Sequence, residues 1–141
     1  MLGYDVDYYR AAVDNQLLQM AKAEKRILLT RDQKLYERAV SKGLEAVLIN
    51  ATDDVGKLAS IVNLFNINLK IDLTNSRCPK CNARIRSVSK ESVIEQLPKY
   101  TAVYYNDFWK CLSCGQIYWQ GAHWTRINKT LDDVRGRLSK D

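Results

Sequence analysis

The sequence predicts a mixed α/β chain: a parallel sheet with flanking helices over residues 1–76, then a small cysteine-closed β module and a C-terminal helix over residues 77–141. Three observations predict it. In the first half, short apolar runs alternate with amphipathic segments, the pattern of parallel strands covered by helices. In the second half, all four cysteines fall in two Cys-x-x-Cys pairs, Cys78/Cys81 and Cys111/Cys114. Finally, Trp124, Ile127, Leu131, Val134 and Leu138 recur at spacings of three and four, which marks one packed seam of a helix.

The elements follow in order. Tyr4 to Tyr9 alternates and reads as a strand. Asp14 is placed as the N-cap of a helix carrying Leu17, Leu18 and Ala21 on one face. Ile27-Leu28-Leu29 is a short apolar strand. A second helix turns Leu35, Ala39 and Val40 inward and stops at Gly43. Ala46-Val47-Leu48-Ile49 is the next strand, and Asp53 or Asp54 caps a third helix with Val55, Leu58, Ile61, Val62 and Phe65 along one side. Asn66 to Ser76 is a polar join. Beyond it, Ser92 and Glu95 suggest a capping box for a helix that Pro98 ends. Thr101 to Tyr105 reads as a strand. Phe108-Trp109-Lys110 leads into the second cysteine pair, Gln116 to Trp119 leads out of it, and the last helix runs from about Trp124 to Leu138.

Strand, cysteine turn, strand is the layout of a zinc ribbon. Two thiolates on one tight turn present their sulfurs to one side, and two such turns make the tetrahedral cage that Zn²⁺ prefers. Pro79 and Gly115 suit such turns. Cys78, Cys81, Cys111 and Cys114 are therefore the expected metal ligands. With no cysteine left over the site is closed, and a closed all-sulfur site is structural. An iron–sulfur centre would use the same four ligands. Two disulfides would require a secreted chain, and Met1 to Asp5 is not a signal peptide.

Composition narrows the partners. Residues 1–76 carry ten Lys/Arg and ten Asp/Glu, whereas residues 77–141 carry twelve and six, so the whole net charge of +6 lies in the cysteine half. A basic, aromatic-rich module suits a polyanion, nucleic acid above all. No apolar run approaches the roughly 20 residues of a membrane span, and reduced thiols as ligands point to the cytoplasm. At the rim of a parallel sheet, beyond the strand ends, the chain places Asp14, Asp32, Asp53 and Asp54. Clustered carboxylates there would suit Mg²⁺ or Mn²⁺, and Asp at a helix start also serves as a plain cap.

Ile27 to Asp32, with Leu2-Gly3-Tyr4-Asp5-Val6 before it and Asp14, Leu17, Leu18 and Ala21 between, resembles the PIN-like ribonuclease fold. Arg77-Cys78-x-x-Cys81-Asn82, then Phe108-Trp109-x-Cys111-x-x-Cys114-Gly115-x-Ile117-Tyr118-Trp119-x-Gly121-x-His123-Trp124, resembles the Mut-seven C-terminal ribonuclease family, in which a PIN-like domain precedes a zinc ribbon. The resemblance covers essentially the whole chain. It implies a further acidic strand and a helix ahead of Leu2. The sequence opens at Met1, so the expectation is a shortened PIN-like domain over residues 1–76 that keeps only Asp14 and Asp32 of the acidic set.

Three readings follow. One is a non-catalytic RNA-binding protein within a ribonucleoprotein such as the ribosome. Another is an active ribonuclease with Asp14 and Asp32 holding Mg²⁺ or Mn²⁺. The third is a protein–protein adaptor. A protein partner over the exposed sheet edge fits the shortened domain. The expected RNA contacts are Arg31, Arg77, Lys80, Arg84, Arg86, Lys110 and Arg126 toward phosphates, with Trp119 and His123 toward bases or ribose. For Trp109 and Trp124, core packing is the competing role. His123 is alternatively a hydrogen-bonding residue at the helix start.

Overall fold

The computed structural model describes residues 1–9 and 11–140. The first half holds α1 (Asp14–Ala23), β1 (Leu28–Thr30), α2 (Gln33–Ser41), β2 (Ala46–Leu48) and α3 (Asp54–Phe65). β1 and β2 run parallel, Leu28 opposite Ala46 and Thr30 opposite Leu48. Leu18 of α1 and Leu35 and Ala39 of α2 are buried together, with Leu28 and Ala46 packed against them. Gly43 takes φ +75° just past α2, a backbone that only glycine adopts without strain.

Three expectations in this half are corrected. Val13, not Asp14, is the N-cap of α1; its N–H donates to Gln16 Oε1 at 3.1 Å, and Asp14 is the first helical residue, where a carboxylate favours the positive end of the helix. Val40 is half exposed, because it lies about 100° round the helix from Ala39, which faces the core. Residues 4–9 form no strand. Their polar groups are held by side chains instead: Val6 N donates to Asn82 Oδ1 at 3.0 Å, and the Tyr4 hydroxyl accepts from Asn68 N at 3.0 Å.

The second half builds an antiparallel sheet from β3 (Ile85–Val88), β4 (Phe108–Cys111) and β5 (Ile117–Tyr118), in that order. Between β3 and β4 lie α4 (Lys90–Val93), a single 3₁₀ turn and α5 (Lys99–Tyr104). One sheet face carries Val88, Phe108 and Ile117, covered by Val93, Leu97, Ala102 and Tyr105. The other carries Ile85, Trp109, Cys111 and Tyr118, packed around Cys78. Two further expectations fail here. Ser89, not Ser92, caps α4, accepting from Ser92 N at 3.3 Å. Thr101 to Tyr104 is helical and Tyr105 is its C-cap: Thr101, Ala102 and Tyr105 turn toward the sheet, and Tyr105 N donates to Thr101 O at 3.0 Å.

The halves meet through the last helix, α6 (Ala122–Leu138). Leu131 and Val134 are buried against Ala59 and Val62 of α3 and against Leu69, with Ile127 and Leu138 at the margin. The expected seam is the one used from Ile127 to Leu138, whereas Trp124 lies outside this cluster. Arg137 pairs with Asp53, the N-cap of α3, at 3.0 Å, and Arg135 Nη2 donates to Leu69 O at 2.7 Å. Among the described residues no helix is long and apolar enough to cross a membrane.

Candidate metal centre and basic ribbon surface

Cys78 and Cys81 lie just before β3, Cys111 ends β4, and Cys114 sits in the turn to β5. Their four sulfurs lie within 4.8 Å of one another. Cys78 and Cys114 sulfurs are 3.7 Å apart, and those of Cys81 and Cys111 3.3 Å. A tetrahedron with metal–sulfur bonds of about 2.3 Å has edges of about 3.8 Å. The quartet therefore has the dimensions to hold a metal ion such as zinc, with all four ligand positions filled by protein.

Local backbone chemistry makes this geometry. Each turn closes with a left-handed residue directly after its second cysteine: Asn82 at φ +69° and Gly115 at φ +77°. Asn tolerates that conformation better than other non-glycine residues. The Ser113 and Cys114 N–H groups both point at Cys111 Sγ, at 3.4 Å. Burial pushes the Cys111 thiol up, yet these two donors and the neighbouring thiols bring it down to about 6. For Cys114 a backbone N–H favours the thiolate, but burial and the other sulfurs push it up to about 11. Burial likewise works against the Cys78 thiolate, and the Tyr118 hydroxyl, 2.9 Å from the sulfur, helps to hold its pKa below the usual thiol range. The Tyr118 hydroxyl is itself shifted upward by burial and by that sulfur.

Asn82 does more than close a turn. Its Nδ2 donates to the carboxylates of Asp5 and, at 3.3 Å, Asp7. Arg26 grips the same two carboxylates, at 3.1 and 3.0 Å. The Asn82 amide and Arg26 hold the Asp5 carboxyl below the usual carboxylate range. Residues 5–7 are thus clamped between the first cysteine turn and the end of α1. Neither Asn82 nor Tyr118 was a sequence-level candidate. The signal for Asn82 was its place after the second cysteine, matching Gly115. Tyr118 gave none, because a strand residue's reach depends on the register.

The expected cations divide into two groups. Arg77 Nη1 donates to Asn82 O at 2.9 Å, and Arg84 Nη1 to Asn75 O at 3.2 Å, so both tie backbone segments together. Arg86 and Lys110 sit directly opposite on β3 and β4. Lys80 reaches Gln116 Oε1 at 3.5 Å, and Arg126 lies 3.4 Å from the His123 ring. Among the described residues none of these six forms an ion pair, whereas Arg26, Arg38, Arg135 and Arg137 all do. Arg31 is exposed after β1, distant in sequence from the ribbon. Trp119 is half buried, its ring 6.3 Å from that of Phe108. Trp109 packs beside the cysteines and Trp124 is half buried on α6. His123 is exposed and stands outside the sulfur cluster.

The rim acids do not converge. Asp32 Oδ1 accepts from Lys34 N at 2.9 Å and from Leu35 N at 3.1 Å, as an N-cap. Asp14 lies 3.5 Å from Arg38, six residues along α2, a rise of about 9 Å from Asp32. Asp53 is engaged by Arg137. Among the described residues, the cysteine quartet is the only group of three or more His, Cys, Asp or Glu side chains close enough to share an ion.

A family model described as the Mut7-C RNAse domain matches residues 1–131. No curated protein matches the chain. No solved structure matches it.

Proposed function

The chain belongs to the Mut7-C RNAse domain family, and from that premise we propose that it binds RNA through its metal-stapled ribbon, without cleaving it, as part of a ribonucleoprotein such as the ribosome. The observation that carries this reading is the set of cations on the ribbon that form no ion pair among the described residues, Lys80, Arg86 and Lys110 foremost. Like charges placed opposite each other on a sheet oppose folding, and a phosphate between them removes that cost. Trp119 and His123 would add aromatic faces for stacking. Zinc in the quartet would hold both turns of the ribbon in place and leave no open coordination position. The engagement of Asp14 by Arg38 and of Asp32 by α2 backbone supports a non-catalytic role. A protein partner over the small parallel sheet fits the same picture, since Ile27 and Leu29 stay 40% and 37% exposed.

The family itself favours a second reading, RNA cleavage with Mg²⁺ or Mn²⁺ held by Asp14 and Asp32. One set of assays separates the two. Purified metal-loaded protein is mixed with a labelled single-stranded RNA, first at increasing salt and then with Mg²⁺ or Mn²⁺. The binding reading expects affinity to fall steeply with salt and the RNA to stay intact, with Asp32→Ala binding as the parent does. Cleavage that needs the divalent ion and vanishes in Asp32→Ala establishes the nuclease. Sedimentation of cell lysate at low and high salt then tests the particle: a free chain at the top of the gradient rejects it.

A further inference from the structure

The environment of Cys78 carries an inference that rests on the metal reading of the quartet and adds a residue to it. Cys78 is buried, as is Cys111, whereas Cys81 and Cys114 are exposed. Four thiolates around one divalent ion leave two net negative charges. Water can share that charge at the exposed sulfurs. At the buried ones only protein donors can, and a buried charge without a donor is costly. Cys111 has the Ser113 and Cys114 N–H groups. At Cys78 Sγ the backbone N–H groups of Lys80 and Cys81 contribute, and the one close side-chain group able to donate to a thiolate there is the Tyr118 hydroxyl, at 2.9 Å. β5 fixes this approach: Tyr118 pairs with Trp109 on β4, and that face of the sheet packs directly on Cys78.

We propose that Tyr118 is a positioning residue of the metal centre: its hydroxyl donates to the Cys78 thiolate, fixes that sulfur's orientation and draws charge from it, so that the ion is held more tightly and released more slowly. A tyrosine serving only as core filling would need its ring and not its hydroxyl. Partners that orient metal ligands change affinity by about 10–100-fold when removed, whereas loss of a hydroxyl alone leaves the packing of the ring intact.

The test is cobalt binding by the unaltered chain and by Tyr118→Phe, followed by zinc release from each under iodoacetamide. The parent must first take up one Co²⁺ with the absorption of a four-thiolate site; a parent that does not overturns the metal reading, and this inference with it. Given that spectrum, Tyr118→Phe is expected to bind Co²⁺ at least tenfold more weakly. Its sulfur-to-cobalt charge-transfer band should move to longer wavelength, because a thiolate with one donor fewer gives up an electron more easily. Zinc should leave it severalfold faster. Equal affinity, an unmoved band and equal release would overturn the role of Tyr118 while leaving the metal centre standing. Should Tyr118→Phe fail to fold, 3-fluorotyrosine at position 118, a stronger donor, provides the second measurement. A band shifted to shorter wavelength supports the proposal, and an unmoved band rejects it.

Discussion

Arg86 and Lys110 face each other across β3 and β4, and among the described residues neither forms an ion pair with a carboxylate. In the free protein this pair opposes folding by roughly 0.2–1 kcal/mol, the usual size of an unfavourable cross-strand contact. Replacing Lys110 by Gln is therefore expected to raise the thermal midpoint slightly and to weaken RNA binding. Binding and melting curves on one preparation check both signs; a variant that loses stability and keeps its affinity excludes this pair as an RNA contact. If Lys110 meets a phosphate, the slope of log affinity against log salt should also fall by about 0.7, the value for one contact on a single strand. A different residue-scale prediction concerns acid. Against a desolvation that pushes it upward, Arg137 holds the Asp53 carboxyl below its ordinary value of 3.8. A depressed carboxylate contributes stability that is present above the unfolded value and is lost as pH falls through the folded one. Asp53→Asn keeps the cap and removes the charge, so it should melt below the parent at pH 7 and show no such gap at pH 2.

At the scale of elements, α3 and α6 stand or fall together. Leu131 is buried among Ala59, Val62 and Leu69, and truncating it removes buried apolar contacts and leaves a cavity. Leu131→Ala should cost about 2–5 kcal/mol by denaturant unfolding. Hydrogen exchange should then accelerate in α3 as well as in α6; faster exchange in α6 alone would mean that the cluster is not shared. The sequence showed these elements well, and physical reasons separate what it showed from what it hid. The seam from Ile127 to Leu138 and the two cysteine turns are periodic or chemically specific, so local spacing reveals them. Thr101 to Tyr105 is rich in β-branched and aromatic residues, which suits a strand in isolation, yet packing on Phe108 and Ile117 calls for residues at helical spacing. Residues 4–9 alternate as a strand should, but their hydrogen-bond partners are the side chains of Asn82 and Asn68's backbone, contacts that no local pattern encodes. The four sulfurs were legible as a site because their spacing fixes their meeting. Asp14 and Asp32 were legible only as acids near helix starts, and the packing of α1 against α2 sets one beside Arg38 and the other on its own helix end.

For the molecule as a whole, the cysteine quartet lies between the two halves rather than at one end. Cys78 packs with Met1 and Leu73 as well as with ribbon residues, and Ser76, fully buried, donates to Met1 O at 2.6 Å. Stripping the ion with a chelator is thus expected to loosen more than the ribbon: the thermal transition should broaden and shift down, and readdition of Zn²⁺ should restore it. Cys111→Ser should melt where the chelated parent does, with no recovery on adding zinc; full recovery would show that three sulfurs suffice. The left-handed turn at Asn82 carries the last consequence. Backbone geometry alone would be as well or better served by glycine, the residue at the matching place in the second turn. Asparagine at position 82 brings in addition its amide, which holds Asp5, Val6 and Asp7. Asn82→Gly should accordingly leave the ion in place and open the chain near Val6 to limited proteolysis, so that one side chain decides whether a fully loaded protein resists a protease or is trimmed by it.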